Sequence, residues 1–287
     1  MQLAVENYIV RKLYGDLDAI KIIAEAGFDG IDYSFYKLPP DDDLLSKPDL
    51  KAFAGKIKEA AAEHAVSLCQ AHAPFAYTYG KSFNSDEYLD ILRSLRVAAA
   101  LGIPHIVVHA VKPVPKEVDI IEYNRNYYRS FIPYCEEYGI KIAVENLFLR
   151  DKAQDCYHGL LHTPAVMTEF VKSLGSDCFI TCLDIGHTAL TGLAPEDYIR
   201  GMSPDLLLAL HVQDNDYKGD RHWVPYFGKL NWAEITKALG EIGYRGDFTM
   251  EILHFLDRYP PEMLPNALIF AAKTGRYLIG QIEKNRK

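Results

Sequence analysis

The sequence predicts a (β/α)8 barrel formed by the whole chain, residues 1–287, as a single domain. Three observations lead there. Short apolar runs rich in β-branched residues alternate with longer segments of helical period along the entire chain, the pattern of right-handed βαβ units around a buried parallel sheet. Eight candidate units fall within 287 residues, the usual size of such a barrel. Finally, no GxGxxG follows the first strand and no GxxxxGK[ST] occurs anywhere, so a doubly wound open sheet lacks its two commonest nucleotide signatures.

The elements follow in order. A short first strand is expected around Leu3–Val5. GIDYSF (30–35) leads to a helical segment from Lys51 to His64, and VSLCQAH (66–72) to one from Asp86 to Leu101. HIVVH (105–109) precedes a helix expected from Ile120 to Tyr138. IKIAVE (140–145), FITCLD (179–184), LLLALH (206–211) and DFTME (247–251) continue the strands, and Leu264 to Ile282 closes the chain as a helix. Helical segments end at Gly27, Gly102, Gly139, Gly175 and Gly243, where a left-handed cap needs a residue without Cβ.

Composition narrows the function. With 49% hydrophobic and 24% charged residues, the chain can build a large core. Acidic residues outnumber basic ones 39 to 31, for a net charge of −8, a poor balance for gripping phosphate backbones. No apolar run approaches the roughly 20 residues that span a bilayer, and MQLAVENYIVRKLYGD has no leader pattern. The five cysteines (Cys69, Cys135, Cys156, Cys178, Cys182) lack CxxC spacing and read as reduced thiols of a cytoplasmic protein.

The strand ends carry the chemistry. Six consecutive strands end in His72, His109, Glu145, Asp184, His211 and Glu251, at gaps of 37, 36, 39, 27 and 40 residues. Histidine (10) and Asp plus Glu (39) are about one residue in six of 287, so six such ends in a row is a strong signal. In a parallel barrel these ends ring one mouth, where barrel active sites lie. Carboxylates and imidazoles cannot crowd a partly desolvated mouth without a compensating charge, and a divalent cation supplies it. The mixed N/O set suits Mn, Zn, Co or Mg, as well as Fe, and lacks the thiolates of a structural zinc site. His187 follows Asp184 by three residues, and Asp220 and His222 present an Asp-x-His pair in the loop after His211. These three extend the candidate ligands, with hydrogen bonding to substrate as the alternative role. His64, His105, His158, His162 and His254 are assigned to structure: His105 starts its strand, and His64 sits at a helix C-terminus, where it complements the dipole.

Several segments together resemble the xylose-isomerase-like barrel superfamily, which groups sugar-phosphate isomerases and epimerases with endonuclease IV. They are AGFDGIDY (26–33), QAHAPF (70–75), HIVVHA (105–110), AVENL (143–147), CLDIGHTALTG (182–192), LHVQDND (210–216), GDRHWVPYFGKLNW (219–232) and FTMEI (248–252). The resemblance implies a metal-dependent sugar or sugar-phosphate isomerase/epimerase that moves a proton through an enediolate. Glu145, Asp184, His211 and Glu251 would hold one divalent metal, with Glu145 and Glu251 also the acid/base groups. His187 would contact substrate near the metal. Asp151 falls where the epimerases use a second, substrate-contacting glutamate, and Tyr217 stands where they carry an arginine. His72, His109 and Trp223 complete the expected substrate contacts.

Endonuclease IV uses nine ligands for three zinc ions, and all nine have a match here: His72, His109, Glu145, Asp184, His187, His211, Asp220, His222 and Glu251. The resemblance therefore implies one metal, with up to three as the alternative. Three features disfavour the repair enzyme: few exposed basic residues in the loops, HAVKPVP in place of a His-Pro-Gly turn, and HVQDND in place of an Asn-Asp-Ser type motif. A dehydratase acting on an inositol-derived ketone or a dehydroshikimate-type substrate is a third reading. The expected partner is thus a small carbohydrate, not nucleic acid or membrane. Barrels of this group associate through helices, so a homo-oligomer is a further candidate, though no patch declares it. Tyr33, Phe35, Phe75, Tyr77, Trp223, Tyr226 and Phe227 are expected in the mouth loops as cover for sugar faces, and Lys112, Lys218, Lys229 and Arg221 as candidates for a substrate phosphate or carboxylate.

Overall fold

The computed structural model describes residues 1–36, 50–75 and 77–286. Its strands are β1 (Leu3–Glu6), β2 (Gly30–Ser34), β3 (Ser67–His72), β4 (His105–Val108), β5 (Lys141–Glu145), β6 (Leu147–Asp151), β7 (Cys156–Leu160), β8 (Phe179–Asp184), β9 (Leu207–His211) and β10 (Phe248–Met250). Eight of them form one parallel sheet in the order β10-β1-β2-β3-β4-β5-β8-β9. Leu3 pairs with Phe248, which brings the two ends of the chain side by side. Between β9 and β10 the ring closes through two bonds, Val212 N–H to the Thr249 carbonyl (2.8 Å) and Glu251 N–H to the Val212 carbonyl (3.0 Å). The fold is the expected (β/α)8 barrel, weak first strand included.

The helices pack outside. They are α1 (Tyr8–Glu25), α2 (Leu50–Glu63), α3 (Asp86–Leu101), α4 (Ile120–Arg129), α5 (Ile132–Tyr138), α6 (Pro164–Ser173), α7 (Ile185–Leu190), α8 (Pro195–Gly201), α9 (Trp232–Glu241), α10 (Leu253–Leu256) and α11 (Leu264–Lys284). On α11, Leu264, Ala267, Leu268, Ala271, Gly275, Leu278 and Ile282 are buried, a stripe at helical spacing. Gly275 lets this helix approach the barrel closely: a Cβ there would lie 2.4 Å from Leu3 Cδ1. All five glycines expected to end helices have positive φ, from 65° at Gly243 to 101° at Gly27.

Two elements differ from the sequence expectation. The helix expected from Ile120 to Tyr138 is broken into α4 and α5. Pro133 has no N–H to give the Arg129 carbonyl, and its ring crowds that turn. After β5, residues 147–160 form an antiparallel hairpin, β6 with β7, outside the barrel sheet. Its strands are too short and too evenly half-buried to declare a period of two.

Inside the barrel, Val107, Ala143, Ile180, Cys182 and Ala209 make a small apolar plug. A polar ladder runs beside it. His105 Nε2 lies 3.3 Å from Gln70 Oε1, Gln70 Nε2 donates to Asp32 Oδ2 (2.7 Å), and Asp32 Oδ2 lies 3.3 Å from His211 Nε2. Burial pushes the His105 imidazole down to about 4, so it is a neutral member of this ladder, in keeping with its structural assignment. All five cysteines are free thiols, with Cys69, Cys135 and Cys182 buried.

Candidate active site

Parallel strands deliver their last residues to one mouth. His72, Glu145, Asp184 and His211 end β3, β5, β8 and β9, while His109 and Glu251 lie one residue beyond β4 and β10. Glu145, Asp184, His211 and Glu251 are buried, and each offers a ligand atom within 4.8 Å of the others. His72, Glu145 and His211 form a second such group, and His187, Asp220 and His222 a third. His109 joins them through Nε2, which is 2.6 Å from Glu145 Oε2 and 3.2 Å from His72 Nε2. All nine candidate ligands are thus gathered at one mouth.

Four of the five imidazoles are fixed by a bond on the far side. His72, His187 and His222 direct Nδ1 at backbone carbonyls of Ala73 (2.8 Å), Asn146 (3.0 Å) and Glu251 (3.1 Å). A carbonyl can only accept, so Nδ1 carries a proton and Nε2 faces the cluster, free to hold either a second proton or a cation. His211 is turned the other way, with Nε2 toward Asp32 and Nδ1 3.0 Å from Glu145 Oε1 and 3.4 Å from Glu251 Oε2. Asp184 caps α7, with Oδ1 accepting the His187 N–H (2.6 Å). Asn146 ties the tops of β5 and β8 by donating to the Asp184 carbonyl (3.0 Å) and accepting the Asp184 N–H (2.8 Å).

The loop after β9 brings Asp220 and His222 back over the mouth. Gln213 pins it, with Nε2 donating to Asp220 Oδ1 (2.6 Å) and Oε1 accepting the His222 N–H (3.0 Å). His222 is held at φ 45°, a left-handed backbone that costs energy outside glycine. Beneath it, buried Asp214 accepts from the N–H groups of Asn215, Tyr226 and Leu230 and from the Trp232 indole, at 2.8–3.2 Å.

The electrostatics show an acid cluster short of positive charge. Burial, with Glu145, Glu251 and Asp220 nearby, pushes the Asp184 carboxyl up to about 7. Burial pushes Glu145 up too, but the imidazoles of His109 and His211 outweigh it and hold it well below the usual range. Burial opposes charge on His187, yet Asp184 and Asp220 raise it to about 9. His211 and His222 are raised in the same way, whereas His72 is driven down to about 4 by burial and by His109 and His211. Protons on the imidazoles therefore stand in for a missing positive charge. Converging lone pairs, locked tautomers and surplus buried carboxylate fit a divalent cation.

Other expected contacts separate. Asp151 is outside this group: its Oδ1 accepts the N–H groups of Ala153 (2.8 Å) and Gln154 (3.1 Å), closing the turn of the hairpin. Tyr33 and Phe35 are buried in packing, with the Tyr33 hydroxyl on Asp16, and Tyr77 stacks on Tyr127. Phe75 stays half exposed, 4.9 Å from the His72 ring and 4.6 Å from His109. Trp223 is half-buried beside His222, and Tyr226 and Phe227 are exposed. Tyr217 is exposed and donates to the Lys229 carbonyl (3.2 Å). Arg221 is neutralised by Asp216 (3.1 Å) and Lys218 lies exposed, whereas Lys112 leans inward and donates to the Phe148 carbonyl (2.6 Å). Asp32, Tyr36, Asn146 and Gln213 were not legible as site residues. The Tyr36 hydroxyl donates to Glu251 Oε1 (2.7 Å).

A closed parallel barrel with histidines and carboxylates from six strand ends at one mouth defines the class. The chain belongs to the xylose isomerase-like TIM barrel family, whose model matches residues 20–268. Among curated proteins it is 26% identical to the uncharacterized protein y4fM of Sinorhizobium fredii, over 84% of this chain and 81% of that one. Among solved structures it resembles a D-tagatose 3-epimerase-like protein (21% identity, 99% of both chains, TM-score 0.74). It also resembles IolI, solved with a bound zinc atom (17% identity, 99% of both chains, TM-score 0.70). At these identities the solved structures establish the fold. No helix among the described residues is long and apolar enough to cross a membrane.

Proposed function

We propose that this chain is a divalent-metal-dependent isomerase or epimerase of a sugar or sugar phosphate. One observation carries the reading: Glu145 and Glu251, from β5 and from the end of β10, meet the same atom, Nδ1 of His211, at 3.0 and 3.4 Å. Two buried carboxylates that converge on one point can share a cation, and a substrate seated between them has a base for proton removal on one face and an acid for its return on the other. Glu145, Asp184, His211 and Glu251 would hold the metal, as Mn, Zn, Co or Mg. When bound, it draws electron density from the substrate carbonyl and offsets the negative charge that develops there. Glu251 takes or returns a proton while the Tyr36 hydroxyl orients its other oxygen. Glu145 does the same on the opposite side, steadied by His109. His72, His109 and His187 meet the substrate's hydroxyl groups, and Phe75 covers an apolar face. The epimerase and zinc named for the two structural relatives support the reading.

The test is deuterium wash-in from D2O into ketoses and ketose phosphates with each metal in turn. Glu251→Gln is expected to abolish exchange, with metal content measured beside it. Exchange that survives in Glu251→Gln removes the acid/base role.

The third ligand group, His187 with Asp220 and His222, favours a second reading, a three-zinc phosphodiesterase at abasic DNA. Close to three zinc ions per chain, and nicking of an abasic duplex that His222→Ala abolishes, would establish it. One metal per chain and no nicking would remove it. The net charge of −8 weighs against a DNA partner.

A further inference from the structure

Beside the ligand cluster lies a cavity of about 290 Å3 lined by Trp223, Phe227, Phe255, Arg258 and Tyr259. Its walls are chain neighbours of two site residues. Trp223 follows His222, and Phe255 lies four residues beyond Glu251. The Phe227 and Phe255 rings meet edge to face at 5.4 Å, and Phe255 meets Tyr259 at 5.3 Å. Four rings alone would suit apolar matter. Arg258 breaks that pattern.

Two guanidinium groups lie 5.6 Å from the Trp223 ring, those of Arg221 and Arg258. Their charges are used differently. Arg221 is bonded to both carboxylate oxygens of Asp216, at 3.2 and 3.1 Å. Arg258 has no ion pair or hydrogen bond among the described residues. Its neighbour Asp257 is paired instead with His254, at 3.1 Å. In a chain with 39 acidic and 31 basic residues, a guanidinium that meets no acid among the described residues stands out at an aromatic cavity. The guanidinium lies within cation–π range of Trp223 and its N–H donors meet no acceptor among the described residues, which leaves the fork able to take two oxygens of a carboxylate or phosphate.

We propose that this cavity is a second substrate subsite, for a ring that bears an anionic oxygen group, carboxylate or phosphate. The anion meets Arg258, and the apolar faces of the ring lie against Phe255, Tyr259 and Trp223. Only the word substrate rests on the isomerase/epimerase reading, since the cavity would then hold the part of the molecule remote from the reacting carbons. Binding there would supply energy that positions the reacting end beneath Glu145 and Glu251.

The protein has two tryptophans, which makes the test direct. Trp232 is buried and its indole N–H is bonded to Asp214, so a change in intrinsic emission on binding reports Trp223. The protein as purified, and again after chelation, is titrated with D-glucuronate, D-glucose 6-phosphate and D-glucose. One charged sugar is expected to give a saturable change about tenfold tighter than glucose, with glucuronate against phosphate telling which anion is taken. Arg258→Gln, an exposed position, should bring that affinity down to the glucose level with unchanged melting, and Trp223→Phe should remove the signal. Glucose binding as tightly as both charged sugars, no saturable change with any of the three, or unaltered binding in Arg258→Gln would each overturn the proposal. Because no turnover is read, the result is independent of deuterium exchange at the metal cluster.

Discussion

Asp32 Oδ2 lies 3.3 Å from Nε2 of His211, and both residues are fully buried. The carboxylate fixes which nitrogen of His211 carries the proton and turns Nδ1 toward Glu145 and Glu251. Gln70 holds Asp32 in turn, so the orientation of one ligand is set three residues deep in the barrel. Asp32→Ala is therefore expected to weaken metal binding about 10- to 100-fold, as for other carboxylates behind ligand histidines. Calorimetric titration with Zn or Mn checks this, alongside a melting curve. Unchanged affinity would reduce Asp32 to a role in packing.

Metal uptake should depend on pH with a definite sign. A cation and a proton compete for the same lone pairs, so affinity rises as the ligands lose protons. Asp184, raised to about 7, is ready above neutrality, whereas His187, raised to about 9, gives up its proton later. Metal addition at pH about 7 should release protons into a weakly buffered solution. Binding at the Asp184 group should strengthen through about 7 and further as His211, also raised, gives up its proton, and binding at the His187 group should go on strengthening toward 9. Affinity that does not vary across that range would contradict the assignment of these ligands.

Tyr36→Phe keeps the ring against His72 but deletes the hydroxyl that orients Glu251. A hydrogen bond to a charged group is worth about 1.5–3 kcal/mol, so deuterium exchange should slow about 10- to 100-fold. The loss should fall on kcat, with KM little changed. A loss confined to KM would place Tyr36 in substrate binding instead.

The loop that carries Asp220 and His222 hangs on Asp214. Asp214→Ala leaves four donors without an acceptor and should cost on the order of 3–5 kcal/mol in urea unfolding. Gly228→Ala should also destabilise, since a Cβ there would lie 2.2 Å from Asp214 Oδ1. Melting near that of the unsubstituted protein for both variants would show that the loop has another anchor.

The cluster of strand-end histidines and carboxylates was legible because barrel geometry repeats. One βα unit separates each from the next, and a charged residue closing an apolar run stands out against it. Asp32 and Gln70 were not, because they lie within strands where successive residues are buried on both faces and the period gives no direction. Asn146 and Gln213 lie one and two residues from a ligand and look like loop polars until the chain folds back on them. Asp151 shows the reverse. Its spacing from Glu145 said nothing of the hairpin whose turn its carboxylate closes. The tyrosines and phenylalanines divided likewise, since an aromatic after a strand reads the same whether it lines a mouth or seals the packing beneath it.

Glu251 follows the strand that closes the ring, and that strand docks between the first strand and the ninth. During synthesis, β1 therefore waits with an unpaired edge until β10 has been made, an exposure that invites pairing with other chains. Glu145, Asp184 and His211 are translated well before their fourth companion. A nascent chain stalled short of residue 251 can gather three of these ligands but not the set. On the proposed reading, full occupancy by a cation would mark a molecule whose barrel has closed, and proteolytic loss of β10 would release the ion together with the seam.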